Sequence, residues 1–284
     1  MHIARIGIIL IICLFSCCAG QHPPEKESLS VMVTIPPLAE FVEKVGGSAV
    51  QVKIMVPPGA SPHTYEPTPG QLKEVSEAAL YVKVGSGIEF ELTWLDDLLA
   101  MNPSMQVVDC SQGIQLISSG PSDSPDPHIW LSPRNAQIMV QTIYEGLLSV
   151  DENSEHEASF TANRDAYITE LQGLDDELSR VFAAVTPKKI MVLHPAWTYF
   201  CKEYGLQQIP IEREGKEPTA QGLTELIEQA RTWGITVIVA APEMNTEPAE
   251  IIAREIGGRV VLVSPLEKSY CDMLYTFAHA FTEA

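Results

Sequence analysis

The sequence predicts an α/β protein of two (β/α) lobes, each with a mainly parallel four-stranded sheet, joined by one long backbone helix. Three observations carry this reading. Short β-branched runs alternate with helical patterns from Leu29 onward, the alternation stops and restarts, and a stretch with neither proline nor strand character separates the two blocks. Such alternation makes the strands parallel, with helices as crossovers. The chain has 284 residues, 45% of them hydrophobic and 19% charged, which is long and apolar enough for two cores and is not the composition of a disordered chain.

In the first block the runs Ser30–Ile35, Val50–Val56, Leu80–Val84 and Gln106–Asp109 read as strands. Thr68-Pro69 and Ser132-Pro133 each pair an N-cap residue with proline at the first helical position, so helices start there, the second running to about Val150. Between Glu155 and Val185, Phe160, Tyr167, Leu171, Leu174, Leu178 and Val181 recur at three- and four-residue spacing, the stripe of one amphipathic helix of roughly 30 residues. A single helix crossing both lobes should restrict hinge closure. The second block offers Lys189–Leu193, Leu206–Ile211, Thr236–Ala240 and Arg259–Val263, with the helical run Gly222–Trp233 between the second and third. The lobes are thus expected over residues 29–152 and 188–284, with the linking helix over 153–187.

The first 16 residues read as a secretory leader, with Arg5 ahead of an apolar run too short to span a bilayer. Leu14-Phe15-Ser16-Cys17 resembles a lipobox, which makes Cys17 the lipidation site and residues 17–28 a polar, proline-containing tether. The alternative is a soluble secreted protein cut after Gly20. In an oxidising compartment Cys18, Cys110, Cys201 and Cys271 would remain, with no C-x-x-C pair among them. Cys201 and Cys271 fall in the same lobe and form either one disulfide or two buried thiols.

Eighteen Lys and Arg against 37 Asp and Glu give a formal charge of −19, which argues against nucleic acid as a partner. Chemistry is better sought among seven histidines. Three share a setting beside proline: His63 in Ser-Pro-His-Thr-Tyr-Glu-Pro, His128 in Asp-Pro-His-Ile-Trp, and His194 in Leu-His-Pro-Ala-Trp. His63 and His194 follow strand ends, where open α/β sheets place ligands. Imidazole suits zinc and related metals, so three on separate segments can share one ion, although spacing alone does not bring them together. His2, His22, His156 and His279 lack this context.

The strings Pro57–Pro69 (PPGASPHTYEPTP), Asp126–Pro133 (DPHIWLSP) and His194–Leu206 (HPAWTYFCKEYGL) resemble, in order, those of the zinc/manganese solute-binding proteins of ABC transporters. The resemblance implies two lobes joined by a backbone helix, a metal site in the interlobe cleft, and His63, His128 and His194 as ligands. It implies zinc as transported ligand, with manganese less favoured, and an ABC permease in the cytoplasmic membrane as partner. A monomer held at the membrane only through its N-terminal lipid follows from the same likeness. An aspartate often closes the site in this family, and Ser264 stands in its place; the fourth position is then left to water or to a carboxylate, Glu243 or Glu212, with Glu243 the preferred carboxylate. Glu66, beside Pro67 and a helix start, reads as structural. The loop Ile117–Asp126 is short and lacks the histidines that many zinc-specific members carry there. Two other classes compete: a zinc hydrolase using the same histidines and a metal-independent surface lipoprotein or adhesin. The first lacks an H-E-x-x-H helix and a Gly-x-Ser-x-Gly elbow.

Overall fold

Among the described residues eight parallel strands form two sheets of identical topology. The first lobe contains β1 (Leu29–Val33), β2 (Val50–Ile54), β3 (Leu80–Lys83) and β4 (Gln106–Asp109), ordered β2-β1-β3-β4. The second contains β5 (Lys189–Val192), β6 (Gln207–Pro210), β7 (Val237–Ala240) and β8 (Arg259–Leu262), ordered β6-β5-β7-β8. The computed structural model describes residues 28–118, 124–213 and 215–282. The leader, the lipidation candidate Cys17 and nearly all of the tether lie outside the described residues. Several strands stop one or two residues short of the apolar runs that announce them, because the ladder ends where the chain leaves the sheet for the site loops.

The helices are α1 (Pro36–Gly46), α2 (Pro69–Glu77), α3 (Glu89–Met101), α4 (Pro133–Val150), α5 (Glu157–Ala184), α6 (Thr198–Glu203), α7 (Ala220–Trp233), α8 (Glu247–Ile256) and α9 (Tyr270–His279). The two expected starts are capped as their residues dictate. Thr68 and Gln71 form a reciprocal capping box, and the Ser132 hydroxyl accepts from the Asn135 N–H at 3.1 Å.

α5, 28 residues and about 42 Å long at 1.5 Å per residue, is the linking helix. Its buried stripe is Phe160, Tyr167, Leu171, Leu174, Leu178 and Phe182; Phe182 takes the last position expected of Val181, which is only partly buried. The stripe packs on α1 and α4 of the first lobe and α9 of the second. One continuous hydrophobic core therefore runs from Val31 through Leu171 to Phe277, while a smaller one, around Met191, Ile238 and Ile252, lies within the second lobe. Glu40 on α1 reinforces the junction, accepting from the Tyr167 hydroxyl at 2.9 Å and from the Tyr270 N–H at 2.8 Å.

The possible disulfide is not formed. Cys201 is buried on α6, whereas Cys271 is half-buried on α9, its Sγ 3.7 Å from Glu170 on α5; both are free thiols. Packing directs the two side chains to different neighbours, which shared lobe membership could not reveal.

Candidate metal centre

The fold brings the site together from strand ends. His63 lies beyond β2, Glu89 beyond β3, His128 beyond β4, His194 beyond β5, Glu243 beyond β7 and Ser264 beyond β8. Parallel sheets point their carboxyl ends the same way, so two facing sheets converge on a common cleft. There His63, His128, His194, Glu89 and Glu243 line one cavity of about 50 Å³, walled by Trp130, Pro265 and Leu266.

The ring centroids of His63 and His194 lie 5.4 Å apart and those of His128 and His194 5.2 Å apart, both edge to face. Among the described residues no three His, Cys, Asp or Glu side chains already stand at coordination spacing. Side-chain rotation must therefore bring the nitrogens to the roughly 2.0–2.1 Å of a zinc bond.

Each imidazole is backed by a carboxylate on Nδ1: Glu89 at 3.0 Å from His63, Asp126 at 2.9 Å from His128 and Glu212 at 3.3 Å from His194. A carboxylate only accepts, so Nδ1 carries the proton and Nε2 presents a lone pair. His194 Nε2 is buried and has no hydrogen-bond partner. Burial of so basic an atom without a partner costs free energy unless a ligand meets it.

The three pairs differ in exposure. The Asp126–His128 side chains are 3% and 12% exposed, whereas Glu89 and His63 are 49% and 38% exposed. The hydrogen bond that His63 donates to Glu89 raises the His63 pKa, and the same contact holds the Glu89 carboxyl below its usual range. Burial lowers the His128 pKa in spite of Asp126. For Asp126, burial pushes upward, but the hydrogen bonds and charge of His128 prevail and the carboxyl is held low.

Of the residues singled out in the sequence, Glu243 reaches the cavity and Glu66 is exposed outside it. Glu212, the other candidate for a fourth ligand, instead sits behind His194, because β6 lies beside β5 and delivers it to Nδ1 rather than to the cavity. Ser264 does not itself line the cavity; it stands behind Glu243, its hydroxyl donating to Glu243 Oε1 at 2.6 Å.

Sequence reasoning missed Glu89, Asp126 and Glu91. Buried Glu91 accepts from the N–H groups of Val84 and Gly85 at 2.6 and 2.9 Å and from Thr34, fixing the loop that presents Glu89. That loop needs glycine at 85, whose φ is +82° and where a Cβ would collide with Asp109. Only Asp126 had a local signal, two residues ahead of its histidine; Asp151 pairs likewise with His156, 2.7 Å away, with no imidazole of this cluster beside it. An acid near a histidine therefore does not mark a site.

The comparisons agree with the geometry. The family model for the zinc-uptake complex component A, periplasmic, matches residues 31–284. The high-affinity zinc uptake system protein ZnuA of Bacillus subtilis (strain 168) is 29% identical over 283 residues, covering 93% of this chain and 87% of that protein. A crystal structure of ZnuA superposes with a TM-score of 0.86 at 39% identity, covering 91% of this chain and 99% of that one. A zinc-bound deletion mutant of ZnuA gives 0.83 at 40% identity, with 89% and 96% covered. The laminin-binding protein of Streptococcus agalactiae, described as an adhesin with metal-transporting activity, shares the fold at TM-score 0.79, 24% identity and 90% and 100% coverage. The motifs, the paired sheets joined by α5 and the match over residues 31–284 lead to one conclusion: the chain belongs to the periplasmic zinc-uptake complex component A family.

Proposed function

We propose that this protein captures zinc outside the cytoplasm on the Nε2 atoms of His63, His128 and His194 and passes it to an ABC permease. The buried, unpartnered Nε2 of His194, whose ring lies 5.4 and 5.2 Å from two more imidazoles, carries the reading. Neutral imidazoles need no charge neutralisation, and the carboxylates behind them raise their basicity and fix their orientation. Three nitrogen donors favour zinc over manganese, which prefers more oxygen.

Cavity size favours capture over catalysis. About 50 Å³ accommodates an ion with little water, far below the roughly 300–1,000 Å³ of pockets for small organic ligands. A hydrolase using these histidines would also need room for its substrate. Cys17 is the proposed lipid anchor, and the protein works as a monomer tethered outside the cytoplasmic membrane. Among the described residues no helix is long and apolar enough to cross a membrane. Zinc titration of metal-stripped protein tests the reading: one tight site is expected, with manganese a weak competitor, and absence of zinc binding would overturn it.

A further inference from the structure

Ser264 and Glu243 follow neighbouring strands, β8 and β7, and meet behind the cavity that Glu243 lines, through the 2.6 Å hydrogen bond. Its direction is set by chemistry. Ser264 Oγ already accepts from the Leu266 N–H at 3.2 Å, and a carboxylate cannot donate, so the hydroxyl proton points at Glu243 Oε1. Glu243 Oε2 makes no hydrogen bond among the described residues, while the side chain lines the same cavity as the three histidines. The serine is itself anchored: the adjacent Pro265 carbonyl accepts from Trp130 Nε1 at 2.8 Å, two residues beyond His128.

We propose that Glu243 Oε2 is the oxygen donor that completes the zinc site and that Ser264 is the positioning residue that aims it. The proposal rests on the three-histidine reading and adds the fourth donor to it. Serine at 264 is then the holder of an acid that enters from the neighbouring strand. With Oε1 occupied by the hydroxyl, the carboxylate binds through one oxygen, giving a four-coordinate N₃O site of the kind zinc adopts. A bidentate carboxylate, better suited to a larger coordination number, is disfavoured by the same hydrogen bond.

The test uses metal-stripped full-length protein, with zinc affinity read by competition against a chromogenic chelator and cobalt(II) absorption reporting coordination. Ser264→Ala should weaken zinc by about 10–100-fold, the usual loss for an outer-shell partner, and Glu243→Gln by more. Because the serine acts only through the acid, Ser264→Ala added to Glu243→Gln should cause little further loss. The cobalt d–d bands should move in Glu243→Gln, which a merely structural role would leave in place. Wild-type zinc affinity with an unchanged cobalt spectrum in Glu243→Gln overturns the proposal, as does an equal Ser264→Ala effect in both backgrounds. His194→Ala, measured alongside, separates the two levels. If it loses zinc while Glu243→Gln does not, only the fourth donor is wrong; if it binds as wild type, the three-histidine reading fails.

Discussion

Trp130 Nε1 donates to the Pro265 carbonyl at 2.8 Å, and the Trp130 carbonyl in turn accepts from the Tyr270 hydroxyl at 2.7 Å. The first lobe is thereby bolted to the second within two residues of His128. Tyr199 of α6 adds a second bolt, donating to the Asp126 carbonyl at 3.0 Å while accepting from the Ile117 N–H at 3.1 Å. With α5 packed along both lobes, these contacts oppose wide opening of the cleft. Trp130→Phe leaves the buried Pro265 carbonyl without its donor and should cost about 1–3 kcal/mol in urea unfolding. In the wild type, the radius of gyration by solution scattering should be the same with and without zinc. Domain-scale compaction on zinc addition would contradict the bolted arrangement.

The acids behind the imidazoles should matter for binding. Asp126→Asn and Glu212→Gln each remove a carboxylate that orients a ring and should weaken zinc by about 10–100-fold. Asp151→Asn, made at the chemically similar but isolated pair with His156, should leave the zinc affinity unchanged. Equal losses in all three variants, measured by chelator competition, would show a general folding effect.

Protons compete with zinc for the imidazoles. Since Glu89 raises the His63 pKa above the ordinary 6.5, His63 takes up its proton before an unperturbed histidine would as pH falls. Zinc affinity should therefore begin to drop above pH 6.5 and keep falling below it. Glu89→Gln should shift that onset to lower pH. Affinity that is flat from about pH 8 to 5 would exclude imidazole ligation.

A different carboxyl should govern the pH dependence of stability. Burial pushes Glu203 up to about 7 from 4.5, with Asp175 also beside it. Arg134 Nε is 2.9 Å from Glu203 Oε1, yet that oxygen makes no hydrogen bond, so the contact is a charge contact with poor alignment and only partly offsets burial. A raised carboxyl pKa means the folded state holds the proton more tightly. The stabilisation is full below about pH 4.5 and is lost as pH rises through about 7. The stability of wild type relative to Glu203→Gln, from denaturant midpoints, should therefore fall across that window and level off above it. A difference that rises with pH would reverse the assignment.

The fold was legible in the sequence wherever its cause is local. Thr68-Pro69 and Ser132-Pro133 start helices through their own side chains, and the stripe from Phe160 to Leu178 specifies α5 through its period. The three histidines could be singled out because each stands beside proline and His63 and His194 follow strand ends. The pairing of each with a carboxylate on Nδ1 could not. Glu89 beyond β3 reaches His63 beyond β2 from 26 residues away, across the end of β1, and Glu212 reaches His194 from 18 over the adjacent β6 and β5, contacts decided by the strand order of each sheet. The role of Ser264 was hidden for the same reason: a hydroxyl is a poor ligand, and its value lies in the acid on the adjacent strand.

The most direct test of the metal centre is a calorimetric zinc titration of metal-stripped protein beside His63→Ala, His128→Ala and His194→Ala. One tight site in the wild type, lost or greatly weakened in all three variants, is the expected result. Wild-type affinity in any one of them would remove that histidine from the centre, and undiminished binding in all three would contradict the shared site.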